Sequence, residues 1–402
     1  MKTLIVVCDG MADRPIRGLG GKTPLELAKT PNMDNFAKGG ICGILDPIAP
    51  GIRAGSDTSH LAILGYDPIK VYTGRGPFEA AGVGLEILPG DIAFRCNFAT
   101  VNKDNIVTDR RAGRITEGTK DLAKTINSIP IEGVSYLFKE STQHRVALVL
   151  KGEGLSFKVS DSDPHFAGKK VETIRPLDDS PEAAKTARIL NKFIEDANKL
   201  LKNHEVNVKR VEEDKPPANA LLLRGAGIVP KLEKFKDKHG LSGACIATVG
   251  LVKGIGSLCG LEVLDVPVDI KIKDSCQKAL NEINNYDFLL LNLKDADNAA
   301  HDHAIQRKVS VIEEIDEALD IFSGFIEENY LVVLSDHTTS TEYGDHTGDS
   351  VPIMICGPEV RTDDVEDFGE RTVAKGGLNR IRGQDIMNIM LNLTYQIEKF
   401  GA

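Results

Sequence analysis

Four of the nine histidines, His301, His303, His337 and His346, fall within 46 residues, where even scattering would put about one. Acidic residues accompany them: Asp297 stands four places before His301, and Asp336 directly precedes His337. Neutral imidazoles and carboxylates are ligands that borderline divalent ions accept, so the cluster suits one or two ions such as zinc, manganese or cobalt. A hydroxyl nucleophile is on offer in Arg53-Ala54-Gly55-Ser56-Asp57-Thr58-Ser59-His60, where Ser56 follows a glycine that lets the backbone turn tightly. A serine hydroxyl attacks poorly until a base or a metal activates it, and no isolated Ser-His-Asp order stands out to do so. For anionic ligands, Asp109-Arg110-Arg111-Ala112-Gly113-Arg114 is the densest arginine cluster, and planar guanidinium forks match phosphate and carboxylate.

Each of these residues has a plainer reading. Asp9 and Asp297 could cap helices, Asp336-His337 could form a turn after a strand, and any one arginine could be a solvated surface charge. Ser56-Asp57-Thr58 could simply cap the helix that contains Leu61, Ala62 and Leu64. What favours chemistry is the elements that deliver them. The apolar run Leu4–Val7 leads into Cys8-Asp9-Gly10, Phe288–Leu293 into Lys294-Asp295-Ala296-Asp297, and Leu331–Leu334 into Ser335-Asp336-His337. Each reads as a buried strand ending in polar residues, and Val351–Cys356 is expected to end the same way at Gly357-Pro358. His346 is expected in a loop. Ile305, Val309, Ile312, Ile315, Leu319, Phe322 and Ile326 recur at steps of three and four, which predicts one amphipathic helix between two of the strands. The fold class is therefore α/β: a mainly parallel sheet with helices on both faces and ligands outside the carboxyl ends of its strands.

The middle of the chain differs, with shorter apolar stretches, many arginines and a helix opened by Ser180 as cap and Pro181 as first residue. This predicts a smaller inserted α/β domain over 74–216, interrupting a domain made of 1–73 and 217–402. Its expected limits are the glycine-rich stretch around Thr73–Gly84 and the charged, proline-containing stretch 212–217.

The 49 Lys plus Arg against 59 Asp plus Glu give a formal charge of −10, which argues against a nucleic-acid partner held by phosphate contacts. Seven cysteines without a Cys-x-x-Cys pair suggest neither a disulfide framework nor a thiolate zinc site. No apolar run approaches membrane-spanning length and the N-terminus lacks a signal-peptide pattern, so a cytoplasmic protein is expected. Gly20-Gly21-Lys22-Thr23 is not a Walker loop, because Ile16 stands where its first glycine belongs. Gly254-x-Gly256 is not a dinucleotide fingerprint, because Cys259 occupies the place of the third glycine.

Taken together, Val6-Val7-Cys8-Asp9-Gly10-Met11-Ala12-Asp13-Arg14-Pro15, Gly55–His60, Thr73–Ala80, Asp109–Arg114, Asp297-x-x-x-His301, Ser335–Thr338 and Asp345-His346-Thr347 resemble the alkaline phosphatase superfamily. More narrowly, they resemble the archaeal-type 2,3-bisphosphoglycerate-independent phosphoglycerate mutases. The resemblance implies an alkaline-phosphatase-like fold and two divalent ions, with magnesium also admitted. Asp9, Ser56, Asp336 and His337 would hold one ion, and Asp297, His301 and His346 the other. It implies that Ser56 carries the phosphoryl group while 3-phosphoglycerate and 2-phosphoglycerate interconvert, and that the inserted domain closes to keep water out. Substrate contacts would come from Asp109, Arg110, Arg111 and Arg114, with Arg224 and Lys253. His303 would be a solvated or supporting residue, and His144 and His165 would be structural. The alternatives are a metal-dependent phosphohydrolase, a phosphosugar mutase, and, in another class, a metal-stabilised binding protein without turnover.

Overall fold

The first apolar run forms the strand Thr3–Cys8, buried along its whole length. The structure, a computed structural model, describes residues 1–131, 133–399 and 401. It divides the chain into two units, one of Met1–Tyr72 with Leu232–Ala402 and one of Thr73–Lys231.

Among the described residues, the first unit is built on an eight-stranded sheet. Its order is Asn379–Arg382, Gly40–Asp46, Val351–Cys356, Tyr330–Leu334, Thr3–Cys8, Phe288–Leu293, Gly243–Ile246 and Glu262–Leu264. All neighbours pair in parallel except at Val351–Cys356, which runs antiparallel to both of its partners. That strand therefore finishes at the edge opposite the ligand-bearing ends, contrary to the sequence expectation, and Gly357-Pro358 lies away from them. The central register aligns Cys8 with Leu293 and Val7 with Leu334, which brings Asp9, Lys294 and Ser335 to one edge.

Leu4, Val6, Leu289, Leu291, Leu331 and Val333 face a core shared with Met33 and Phe36 of helix Pro31–Lys38 and with Ile312, Ile315 and Leu319 of helix Ile305–Leu319. Ile5, Val7, Leu290 and Val332 alternate with them and are equally buried, so the sheet is covered on both faces. At about 1.5–3 kcal/mol for each fully buried aliphatic side chain, these central strands carry much of the driving force for the unit. The predicted long helix stops at Leu319; Asp320–Phe322 and Phe325–Glu327 continue as separate 3-10 turns that bring Phe322 and Phe325 into the same core. The Gly254-x-Gly256 pair lies in helix Gly250–Cys259, where a Cβ on Gly256 would stand 3.1 Å from that of Cys245. That glycine serves helix-on-sheet packing.

The second unit is an antiparallel sheet ordered Val107–Asp109, Ile92–Val101, Arg145–Lys151, Ser135–Glu140, with Ala220–Ile228 also paired to Ile92–Val101. That pairing corrects the expected second boundary: residues 217–231 belong to this unit, because Ala220–Ile228 supplies a strand to its sheet. Ile92, Phe94, Cys96 and Phe98 face a core with Leu190 and Phe193 of helix Pro181–Lys202, which Ser180 caps through its side chain as expected. The glycine-rich stretch is no linker. Residues Gly76–Gly82 form a helix laid on the opposite face, so close that a Cβ on Gly76 would stand 2.0 Å from the Ala93 carbonyl oxygen.

Candidate active site

Every histidine nominated as a ligand has one ring nitrogen committed outside the cluster. His301 Nδ1 donates to the Gly344 carbonyl at 2.8 Å and His346 Nδ1 to the Ala54 carbonyl at 2.9 Å. A carbonyl can only accept, so both rings carry their proton on Nδ1 and leave the Nε2 lone pair free. Those lone pairs converge: His301 Nε2 lies 3.5 Å from Asp297 Oδ2 and His346 Nε2 lies 3.6 Å from Asp297 Oδ1. Asp297 and His301 stand one turn apart on helix Asp295–His301, as their spacing predicted. His346 lies in the short strand Asp345–Thr347 rather than in a loop, paired with Thr338–Ser340.

The second grouping surrounds His337, whose Nε2 is 3.1 Å from Ser56 Oγ, 3.2 Å from Asp336 Oδ2 and 3.6 Å from Asp9 Oδ1. Its ring stacks on that of His346 at a centroid distance of 3.7 Å. Ser56 is the first residue of helix Ser56–Ile63, so a group bonded to its hydroxyl would meet the positive end of the helix dipole.

Asp9, Asp297 and Asp336 are each at most 2% exposed. Between them stands one ammonium, Lys294 Nζ, 2.7 Å from both Asp9 Oδ1 and Asp297 Oδ2. Burial would raise the Asp297 carboxyl, but the Lys294 ammonium holds it well below the usual range. Asp336 goes the other way: burial, and then the neighbouring Asp9 charge, push it well up. Its Oδ1 accepts the Gly10 N–H at 3.0 Å, while Oδ2 is buried with no hydrogen-bond partner among the described residues.

Three buried carboxylates facing one ammonium, an orphaned carboxylate oxygen and inward imidazole lone pairs form a donor set that fits divalent cations. Among the described residues, two triads have potential ligand atoms within 4.8 Å of one another: Asp297, His301 and His346, and Asp9, Asp297 and His337. The first is the set that the sequence resemblance implied. In the second Asp297 appears where Asp336 was expected, although Asp336 Oδ2 approaches the same His337 nitrogen.

Sequence reasoning missed two residues here. Lys294 is one. The other is His60, kept uncharged by burial, whose Nδ1 donates to the Ser56 carbonyl at 2.7 Å and whose Nε2 accepts from Asn292 at 3.2 Å. Asn292 in turn donates to Asp9 Oδ2 at 3.0 Å, so this chain of hydrogen bonds ties the start of the serine helix to a nominated acidic ligand. The signal for Lys294 was its place three residues before Asp297 at a strand end. His303 sits outside the triads, with a left-handed φ of 56° and its Nδ1 donating to the Thr341 carbonyl.

Of the nominated substrate residues, Lys253 lies on helix Gly250–Cys259 and pairs with exposed Asp265 at 3.3 Å. The others lie in the second unit. Asp109 accepts the N–H groups of Arg111 and Gly113, both at 2.7 Å, and so shapes the turn that carries the arginines. Arg110 forks onto Asp163 at 2.6 and 3.0 Å, and Arg224 Nε lies 3.7 Å from the same carboxylate. Arg95 faces Arg224 across the sheet and Asn97 faces Arg145, which puts three arginines on one sheet face beside Arg75 and Glu79. Like charges opposite one another are costly, and Glu79 only partly offsets them. Burial would raise the Glu79 carboxyl, yet Arg95 and Arg75 hold it down to about 2. The Nε atoms of Arg95, Arg145 and Arg224 are buried without hydrogen-bond partners among the described residues. His144, buried beside Arg145, Arg111, Arg95 and Arg224, is pushed down to about 3 by burial and then by those charges. Arg75, Arg95 and Arg145 were not nominated from the sequence. Arg95 and Asn97 alternating within an otherwise apolar strand were the available signal.

Comparison with known proteins places these residues in context. Residues 37–207 match the family model described as 2,3-bisphosphoglycerate-independent phosphoglycerate mutase. The chain is 54% identical over 413 aligned positions to 2,3-bisphosphoglycerate-independent phosphoglycerate mutase 1 of Methanothermobacter thermautotrophicus, covering 100% of both chains. It is 50% identical to the protein of the same description from Methanocaldococcus jannaschii, over 100% of this chain and 99% of the other. A Pyrococcus horikoshii protein of known structure aligns with a TM-score of 0.85 at 38% identity, covering 100% and 99% of the two chains. The cofactor-independent phosphoglycerate mutase from Thermoplasma acidophilum aligns with a TM-score of 0.69 at 37% identity, covering 98% and 100%.

Proposed function

The chain belongs to the 2,3-bisphosphoglycerate-independent phosphoglycerate mutases, isomerases that need no bisphosphoglycerate, and on that footing we propose that Ser56 carries the phosphoryl group between 3-phosphoglycerate and 2-phosphoglycerate. The observation that supports this most is Ser56 Oγ, 3.1 Å from His337 Nε2 at the rim of the buried cluster of Asp9, Asp297 and Asp336.

Ser56 gives up its hydroxyl proton as Oγ bonds to phosphorus and the bond to the C3 oxygen of the substrate breaks, and that oxygen takes up a proton to become a hydroxyl of glycerate. Glycerate turns, its C2 hydroxyl loses a proton and attacks phosphoserine, and Ser56 is regenerated. Asp9, Ser56, Asp336 and His337 would hold one divalent ion and Asp297, His301 and His346 the other. Bound there, the ions would lower the proton affinity of the serine hydroxyl and neutralise charge on the transferring group. The dipole of helix Ser56–Ile63 favours the phosphoserine anion, and Lys294 adds a cation beside Asp9 and Asp297. We assign substrate binding to Arg110, Arg111, Arg114 and Arg224 and add Arg75, Arg95 and Arg145. The Nε atoms of Arg95, Arg145 and Arg224, buried without hydrogen-bond partners among the described residues, supply donors for the oxygens of carboxylate and phosphate groups. Asp109 shapes that loop, and Lys253 is a further candidate.

The test is conversion of 3-phosphoglycerate to 2-phosphoglycerate in an enolase-coupled assay, with manganese and without bisphosphoglycerate. The parent should be active and Ser56→Ala should fall by roughly 10³-fold or more, as loss of a covalent nucleophile does. Phosphate release without isomerisation would make the protein a phosphohydrolase instead. An unchanged Ser56→Ala rate would remove Ser56 from the mechanism.

A further inference from the structure

Two of the three ligand imidazoles have their tautomer set by a backbone carbonyl. The third does not: His337 Nδ1 faces the hydroxyl of Thr339 at 3.0 Å. A hydroxyl can donate or accept, so that contact alone leaves the ring undecided. The second contact of Thr339 decides it. Its Oγ1 donates to Asp297 Oδ1 at 2.8 Å, and the other oxygen of that carboxylate is paired with the Lys294 ammonium at 2.7 Å. The single hydroxyl hydrogen therefore goes to Asp297, and the oxygen must accept the proton of His337 Nδ1. This leaves the Nε2 lone pair of His337 directed toward Ser56, Asp336 and Asp9.

The fold holds Thr339 to this task. The residue is wholly buried, its N–H donates to the Ala12 carbonyl at 3.0 Å, and its own carbonyl accepts from Lys308 Nζ at 2.8 Å. Across the strand pair its partner is His346. The approach of Asp297 to Thr339 also requires a glycine at position 10. A Cβ there would stand 2.7 Å from both Thr339 Oγ1 and Asp297 Oδ1, and the backbone has a left-handed φ of 63°.

We infer that Thr339 is a positioning residue that couples the two candidate metal sites, one hydroxyl fixing both the Asp297 carboxylate of one and the His337 tautomer of the other. The inference rests on the metal-centred reading of the site. Partners of this kind commonly change metal affinity by about 10–100-fold when removed.

The experiment uses the full chain, metal-depleted and titrated with cobalt while its visible absorption is followed, for the parent, Thr339→Val and Thr339→Ser. Thr339→Val, of matching shape, should weaken cobalt binding at both sites by about tenfold or more. Thr339→Ser, which restores the hydroxyl, should return to within about threefold of the parent on the same scale. Cobalt affinity unchanged in Thr339→Val, or a serine variant as weak as the valine one, would overturn the coupling role. A parent that takes up no cobalt would overturn the metal-centred reading and the inference with it. Should Thr339→Val fail to fold, the parent alone suffices. Nitrogen-15 NMR of histidine-labelled metal-depleted protein, with the His337 signal identified by its loss in His337→Gln, should show the Nδ1–H tautomer. The Nε2–H tautomer would refute the assignment.

Discussion

Lys308 offers the most direct check on how the site edge is held together. Its ammonium lies in the first turn of helix Ile305–Leu319, fully buried, and donates to Asp13 Oδ2 at 3.0 Å, the Ala12 carbonyl at 3.2 Å and the Thr339 carbonyl at 2.8 Å. It thereby ties the loop after strand Thr3–Cys8 to strand Thr338–Ser340. Lys308→Met keeps roughly the same volume and removes the charge. Breaking a buried pair from one side costs about 3–5 kcal/mol, because the remaining charge is left uncompensated. Asp13 would keep neutral donors, the N–H of Arg14 at 2.7 Å and the N–H and hydroxyl of Thr341 at 3.1 and 2.6 Å, which pulls the cost toward the low end. The Thr339 carbonyl loses its Lys308 donor, which adds about 1 kcal/mol, whereas the Ala12 carbonyl keeps the Thr339 N–H at 3.0 Å. The sum is about 4 kcal/mol. Since the chain has no tryptophan, native-state hydrogen exchange read by mass spectrometry on peptides spanning residues 3–8 and 330–340 is the suitable assay. Adding Asp13→Asn to Lys308→Met should recover about 1–2 kcal/mol by removing the lone buried charge. A loss below about 1 kcal/mol in Lys308→Met, or a double variant less stable than the single one, would refute the reasoning.

Two further expectations concern the second unit. An unfolded histidine titrates near 6.5, whereas folded His144 stays neutral down to about 3. Between those values the unfolded chain binds the extra proton, so stability is fully present above pH ~6.5 and falls as pH drops toward ~3, by up to about 1.4 kcal/mol per pH unit. His144→Gln should flatten that part of the urea-unfolding profile, and an unchanged slope would count against it. Arg224→Met should raise the KM for 3-phosphoglycerate by about 10–100-fold, the worth of a charged hydrogen bond, while relieving the like charge of Arg95 across the sheet. An unchanged KM would take Arg224 out of substrate binding.

The strand ends were legible because their signal is local: four to six apolar residues followed by ligand types need no knowledge of partners. The same holds for Asp297 and His301, one helical turn apart, and for the Ser180 cap. Strand direction was not legible, since an apolar run reads alike in both senses, and only pairing shows Val351–Cys356 to be antiparallel. Nor was the role of Ala220–Ile228, an apolar strand that either sheet could have accepted until hydrogen bonds to Ile92–Val101 placed it and Arg224 beside the other arginines. What the amino-acid sequence determined by itself is the set of groups on offer: a serine hydroxyl behind a glycine, carboxylates and imidazoles at strand ends, and clustered arginines. What tertiary structure decided is the state of those groups. Lys294 between two carboxylates, the paired Arg95 and Arg224, and the hydroxyl of Thr339, bonded to Asp297 from 42 residues away, all depend on distance through space. Charge and hydrogen bonding act over that distance, whatever the separation along the chain.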